Sequence, residues 1–561
     1  MAVSFRYFFL AICTVLFACS VKSLRLPVSY HTNDTIPRIE LRMPAQRIHQ
    51  FQQGGVLLTD YLPDKPGMMS CIAGRLLPGN IFHESLEDLD YRVIHYTDDL
   101  FGRGRLMCDD YDPDLGVLTF RGGFRRDMPV SGFVSGVPGR ITVDWIYTTD
   151  YDTTRTEYGM WGGGLGWTGQ PILVKWPPDA REEYALLDTA FKKKKDGLEV
   201  IAGSLSGTVF FLDFDDGTET RPPISTHNPI KGTPSLDPRL NGLLYVGSGV
   251  PHEEESFGIH VIDLHRHEPA FFYSGHNDRV AYRRWGAFDS SPLLVGDFLY
   301  WPGENGVLYQ FYIDDDEISL VAKMVYRLRG RSGPGIESSL AVYRNYGYFG
   351  DNHGNILCVN LLTMQPVWMY NNRDDTDATI VIEVEAGIPY IYTGSQVDLQ
   401  GDEGYARFVK INGLNGESVW EQKIEAYRVS HSGRMFDGGM FATPLPGRNN
   451  ASEIIVSNFA HTTESGEGEL IAFHKQTGEI LYRTLLSAYS WSSPVALYNE
   501  AGDLYIFTGD VEGNVYLLDG RDGRILYRER VGRNFEASPV VWGNKVVIGS
   551  RGREIYRLSI D

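Results

Sequence analysis

The chain is poor in cysteine, with 5 among 561 residues and no Cys-x-x-Cys pair. That excludes a thiolate zinc site, a dithiol redox centre and haem attached through Cys-x-x-Cys-His. Basic residues are also in deficit. The chain has 52 Lys and Arg against 72 Asp and Glu, a net charge of −20. The basic footprint that nonspecific nucleic-acid binding requires is therefore missing. Lys192 to Lys195 is the one dense basic run and reads as a solvated loop. Past the N-terminal segment, no apolar stretch is long enough to span a bilayer. No Gly-x-Ser-x-Gly elbow marks an acyl-transfer nucleophile. The glycine-rich stretch from Trp161 to Trp167 lacks the Lys-Ser/Thr ending of a phosphate loop and reads as a tight connection.

What the chain does have is a recurring phrase: two small residues, usually a Pro, then an apolar strand. It stands at Gly169-Gln170-Pro171, Gly232-Thr233-Pro234, Ser290-Ser291-Pro292, Ser338-Ser339-Leu340, Ala442-Thr443-Pro444, Ser492-Ser493-Pro494 and Ala537-Ser538-Pro539, with a weaker copy at Ala378-Thr379-Ile380. Counted at the third residue of each copy, the steps are 63, 58, 48, 40, 64, 50 and 45 residues. Steps of that size filled with short strands indicate radial repetition of a four-stranded unit. The unit from Ser492 to Val531 shows the grammar most clearly, with apolar runs separated by Gly, Asn and Asp turns. A proline at the start of an inner strand costs the ladder little.

The last unit ends at Asp561 without its outer strand. Arg140 to Thr148, upstream of the first copy, has the aromatic ending of the other outer strands and is expected to complete it. Such closure removes exposed sheet edges. The expected fold is an all-β, eight-bladed β-propeller whose ring is closed by an N-terminal strand.

These repeats resemble PQQ-like (quinoprotein-type) β-propeller repeats. The likeness rests on the small-small-Pro openings and on outer strands that follow a Thr-Gly-x-x-x-Trp-like phrase, as in Asn415-Gly416-Glu417-Ser418-Val419-Trp420 and Thr477-Gly478-Glu479-Ile480-Leu481-Tyr482. Thr119 to Arg126 resembles the Phe-Arg-Gly entry of bacterial members. The resemblance covers residues 119 to 561, and the family implies two kinds of function. One is a dehydrogenase of alcohols or sugars using PQQ and calcium, with Asp289, Glu337, Asp377 and Glu536 as candidate metal or base residues. Against it stand the missing Cys-Cys pair of many alcohol-oxidising members and the replacement of repeat tryptophans by Tyr482 and Tyr527. The other, taken as the reading here, is a non-catalytic binding or scaffold module without a cofactor. It would present loops to a protein or glycan partner, much as the lipoprotein that assists insertion of outer-membrane β-barrels does. The insertions at Pro251 to Phe257, Gln396 to Tyr405 and His461 to Gly468 are the expected contact loops, on a protein expected to be monomeric. A carbohydrate-binding or carbohydrate-processing propeller is a further alternative.

Residues 1–23 read as an export signal, with Arg6 ahead of the apolar stretch Phe8 to Ala18. Leu16-Phe17-Ala18-Cys19 resembles a lipoprotein cleavage box with Cys19 as the lipidated residue; plain secretion is the alternative. The chain is thus expected to be periplasmic, anchored in the outer membrane or secreted, touching a membrane only through such an anchor. In an oxidising compartment Cys71 and Cys108 can pair, while Cys358 lies in an apolar strand and reads as a buried thiol. Residues 24–118 show weak periodicity, with one clear strand at Tyr91 to Tyr96. They are expected to form an accessory domain or an arm on the ring.

In a propeller the residues just before the inner strands rim one mouth of the axis. Three places ahead of each marker stand Thr168, Lys231, Asp289, Glu337, Asp377, Phe441, Trp491 and Glu536. Converging carboxylates suit a hard cation, a basic peptide or a sugar, the last with Trp491 and Phe441 as stacking faces. Hydrated, purely solubilising carboxylates are the plain alternative.

Overall fold

The computed structural model describes the short strands at 29–30 and 39–44, then residues 86–96, 110–127, 132–314, 317–431 and 433–561. The expected export signal, Cys19, Cys71 and Cys108 lie outside the described residues. Eight sheets of at least four strands form the blades of a propeller. Every inner strand begins on the residue after its marker: Ile172, Ser235, Leu293, Ala341, Val381, Leu445, Val495 and Val540. The numbering below, blades 1 to 8, follows those strands. No helix among the described residues is long and apolar enough to cross a membrane. Lys193 to Lys195 lie in a turn as expected, and only Lys192 belongs to a helix. Thr189–Lys192 forms a short helix inside blade 1, capped by the Asp188 side chain, and Lys194 Nζ pairs with Asp213 at 2.5 Å.

Ring closure occurs where the chain's pattern places it. Ile141–Thr148 runs antiparallel to Glu554–Ile560 and supplies the fourth strand of blade 8. The Thr-Gly-x-x-x-Trp phrase has a physical reason. Trp145, Trp368, Trp420 and Tyr482 sit on outer strands, and each lies over a glycine of the following blade: Gly217, Gly416, Gly478 and Gly523. Those glycines have φ between 73° and 74°, a region other residues avoid, and a Cβ there would come within 2.4–2.8 Å of the ring. Each aromatic also donates a hydrogen bond to a carbonyl of that blade, as Trp368 Nε1 does to Gly413 O at 2.9 Å. The phrase is therefore an inter-blade clamp.

Part of the N-terminal region lies on the ring as an extra strand. Leu89–His95 pairs antiparallel with Ile318–Leu328, the outer strand of blade 3, and Ile39–Pro44 pairs with it in turn. This explains the composition of the blade 3 outer strand. It is buried along most of its length, whereas Ile480–Leu485 of blade 6, with no strand beyond it among the described residues, alternates half-buried and exposed.

The axis is filled from inside. Leu118 to Asp127 threads the channel, and its polar groups satisfy the inner strand edges. Arg126 Nε donates to Leu340 O at 2.9 Å; Arg121 Nη1 and Nη2 donate to Pro494 O and Pro444 O, each at 3.1 Å. Backbone carbonyls of Leu118, Phe124 and Arg125 accept from the N–H groups of Leu236, Val342 and Ile382. Both arginines are about 1% exposed or less, and burial lowers their pKa to about 10, still cationic at neutral pH.

Two of the expected contact loops stand between second and third strands as insertions: Pro251 to Phe257, which holds a short 3-10 turn at Glu254–Ser256, and His461 to Gly468. The third is shorter than expected. Gln396–Val397 pairs with Gly438–Gly439, and Glu403 to Tyr405 already belong to the strand Glu403–Asn412, because the outer strand of blade 5 extends far enough to pair with them. Cys358 is fully buried and unbridged, and burial pushes its thiol pKa well up.

Candidate functional site

In a four-stranded blade the connection between the second and third strands emerges on the same face as the connection to the next blade. The marker-minus-three residues belong to that face. Thr168, Asp289, Glu337, Asp377 and Phe441 line one axial cavity of about 20 Å3, floored by Phe120 of the plug. The hydroxyls of Thr233, Ser291, Ser339, Thr379 and Thr443 line it too. These are the small residues of the repeat phrase.

Lys231 lies beside this cavity. Its ammonium is bonded to Asp289 and stands 3.9 Å from Glu304 Oε1 and 4.3 Å from the centre of the Trp167 ring. Burial alone would lower its pKa, but Asp289, Glu304 and Glu337 raise it. Trp167 Nε1 donates to Glu337 at 3.1 Å, and Gln396 Nε2 donates to Asp377 at 2.6 Å. Glu536 is buried and held by Arg551 at 3.1 Å and by Asn534 at 2.9 Å. Trp491 and Phe441 are only 4% and 8% exposed. Their rings sit 4.7 Å apart, and Trp491 lies 5.5 Å from Trp167, so neither offers an open stacking face.

The sequence pattern misses three participants. Glu304 comes from the Glu304-Asn305-Gly306 turn between strands of blade 3, and Asp375 lies two residues before Asp377. Trp167 closes the glycine-rich connection. Gly163 and Gly164 there let the chain pass within contact of Asp150 O and Ser550 O, where a Cβ would stand 2.1 and 1.9 Å away. Trp167 and Thr168 then both adopt left-handed backbone, with φ of 52° and 62°. Two consecutive non-glycine residues in that region are strained, and they place the indole over Lys231. The signal that could find Glu304 is its position in a second-to-third-strand turn, which shares the rim's face.

Burial raises the pKa of Asp289 to about 6, with Lys231 opposing. It raises Glu337 to about 7, helped by the charge of Glu304, and Asp377 to about 7, helped by Glu337. Glu304 and Asp375 are pushed well up by burial and their carboxylate neighbours. The folded chain therefore holds these protons more tightly than the unfolded chain. The associated stability is complete below about pH 4, near the ordinary carboxylate values of 3.8 and 4.5, and is lost as pH rises through about 7. Glu337→Gln with Asp377→Asn is expected to raise the melting temperature at pH 8 by a few degrees and to leave it unchanged at pH 4. Thermal unfolding at both pH values checks this.

Whether the site fits PQQ and calcium turns on occupied space. Asp289, Glu304 and Glu337 bring oxygens within 4.8 Å of one another, a donor set a hard cation can use. The Lys231 ammonium, however, already neutralises Asp289 and faces Glu304, and a cavity of about 20 Å3 has room for one water. A planar tricyclic quinone does not fit this cavity. A larger cavity of about 590 Å3 opens on the opposite face between blades 5 and 6. Its charged groups are largely paired among themselves: Arg448 with Asp127 and Glu383, and Lys475 with Glu383 at 2.7 Å.

The family model of the outer membrane protein assembly factor BamB matches residues 466–561. No curated protein matches the chain. Among similar solved structures is the quinohemoprotein alcohol dehydrogenase ADHIIG from Pseudomonas putida HK5, with a TM-score of 0.55 and 11% identity over 79% of this chain and 80% of that one. A europium-containing methanol dehydrogenase scores 0.52 with 12% identity, covering 80% of this chain and 98% of its own. BamB from Moraxella catarrhalis scores 0.42 with 16% identity over 69% and 96%. The dehydrogenase likenesses show a shared fold.

Proposed function

We propose that this chain, an eight-bladed propeller of PQQ-like repeats, is an exported binding module that works without a quinone. The observation that supports the reading is the crowded axis, where Lys231, Trp167 and Phe120 leave a cavity of only about 20 Å3. The match of residues 466–561 to an assembly-factor family model supports it. So does the face around the axis. Tyr151, Tyr158, Met160, Leu399 and Met435 all stand on connections of that face and are 40–55% exposed, an apolar display suited to a protein or glycan partner. Export rests on the N-terminal Arg6 and the apolar stretch that follows it, with either lipidation at Cys19 or plain secretion as the outcome.

Two measurements test this. Titration of the purified mature protein with PQQ and Ca2+, followed by absorbance and calorimetry, is expected to show no saturable binding. Stoichiometric binding weakened by Asp289→Asn would overturn the reading. For the partner, deleting residues 396–405 would cut strand pairs, so Leu399→Ser with Met435→Ser is the cleaner probe. Surface changes of this kind alter stability by about 0.5 kcal/mol or less. Capture of the partner should be lost while the unfolding midpoint stays put.

A further inference from the structure

Two Asn-x-Ser/Thr triplets stand in the chain, Asn33-Asp34-Thr35 and Asn450-Ala451-Ser452. The first lies outside the described residues. The second falls in the connection between Leu445–Pro446 and Ile454–Phe459, the inner and second strands of blade 6. That connection stands on the face opposite the axial mouth, where Asn449 and Ser452 line the cavity of about 590 Å3.

The local fold presents this triplet to solvent. Asn449–Ala451 forms a 3-10 turn, entered through Asn449 at a φ of 52°. Ala451 is 1% exposed and packs into the core of blade 6, which pins the turn. Asn450 and Ser452, on either side of it, are both exposed. The two residues that define an N-glycosylation acceptor are thus open on a surface connection, and the position between them is not proline.

The Asn450 amide is held without being used up. Its backbone N–H donates to Gly502 O at 3.2 Å, and its Nδ2 donates to Ala501 O at 2.7 Å and to Asp503 Oδ1 at 3.3 Å. Nδ2 carries two N–H groups. Substitution removes one, and the other still serves the shorter bond to Ala501. The Asp503 carboxylate keeps the Asn499 amide as a donor at 3.2 Å, so the folded turn tolerates a substituted Asn450.

We infer that Asn450 is a site of N-linked glycosylation. The inference rests on the exported reading and commits it to plain secretion through a route that carries an oligosaccharyltransferase. In the transfer, Nδ2 loses one proton and forms a C–N bond to the anomeric carbon of a lipid-linked oligosaccharide. The C–O bond from that carbon to the lipid pyrophosphate breaks, and the pyrophosphate leaves with the electron pair. The attached sugar stands on the face opposite Tyr151, Tyr158, Met160, Leu399 and Met435 and leaves that display uncovered.

The test uses the mature chain isolated from the cells that naturally produce it. Peptide-N-glycosidase digestion in heavy-oxygen water, read by peptide mass spectrometry, is expected to convert Asn450 to labelled aspartate. Ser452→Ala should abolish that label, and Ser452→Thr, which keeps the triplet, should retain it. Label that persists in Ser452→Ala would overturn the inference, since the modification would then not follow the triplet. N-terminal sequencing of the same sample separates the two readings. Unlabelled Asn450 in a chain whose signal has been removed would overturn the inference and leave export standing. Unlabelled Asn450 in a chain that still begins at Met1 would overturn both.

Discussion

Arg121→Ala is expected to lower the stability of the ring by about 3–5 kcal/mol, read as a shift of the urea midpoint. The guanidinium lies on the propeller axis and donates to the carbonyls of Pro444 and Pro494, which open the inner strands of blades 6 and 7. Its Nε bonds Arg126 O at 3.3 Å within the plug, and its backbone N–H bonds Gln170 Oε1 at 2.9 Å. Alanine would leave buried carbonyls without donors, at about 1–3 kcal/mol each, and an axial void besides. Removing a desolvated charge offsets part of that loss, which keeps the expectation at the lower end of the simple sum. Arg121→Lys, able to reach one carbonyl, should recover about a third of it. A wild-type midpoint in Arg121→Ala would mean that the inner edges find other donors and that the plug is dispensable.

Trp145→Ala should cost about 3–5 kcal/mol, the usual range for truncating a buried tryptophan. Trp145 belongs to the ring-closing strand, is 9% exposed, and donates from Nε1 to Phe214 O in blade 1 at 3.0 Å. Its ring covers Gly217. Its loss weakens the junction of blades 8 and 1, where the two ends of the propeller meet, so limited proteolysis should cut first near the 149–171 connection. Leu481→Ala, on an outer strand but 42% exposed, is the control and should shift the midpoint by about 0.5 kcal/mol or less. Equal sensitivity of the two variants would show that closure is carried by the backbone ladder alone.

The outline of the fold was legible because its signals are local. A small residue, a proline and an apolar run mark where an inner strand starts, and the structure begins each inner strand one residue after the marker. The Thr-Gly-x-x-x-Trp phrase was legible as a repeat, but its meaning was not. That Gly416 must lack a Cβ because Trp368 of the preceding blade stands on it follows only from the packed blades. Thr119 to Arg126 was readable as a family entry phrase. Its passage down the axis, with two buried arginines bonded to strands more than two hundred residues away, was not.

The candidate site divides in the same way. Thr168, Lys231, Asp289, Glu337, Asp377, Phe441, Trp491 and Glu536 share one offset in the repeat, so sequence alone places them around a common mouth. Glu304 and Trp167 share no offset with them, since one comes from a turn between strands and the other from a strained connection. The number of blades, the closing strand and the rim positions were determined by sequence, because strand and turn preferences act over a few residues and recur at each repeat. The filling of the axis by Lys231, Trp167 and the plug was decided by tertiary structure. Which charges neutralise one another, and which donors stay unpaired, depends on distances between blades that no short stretch of chain encodes.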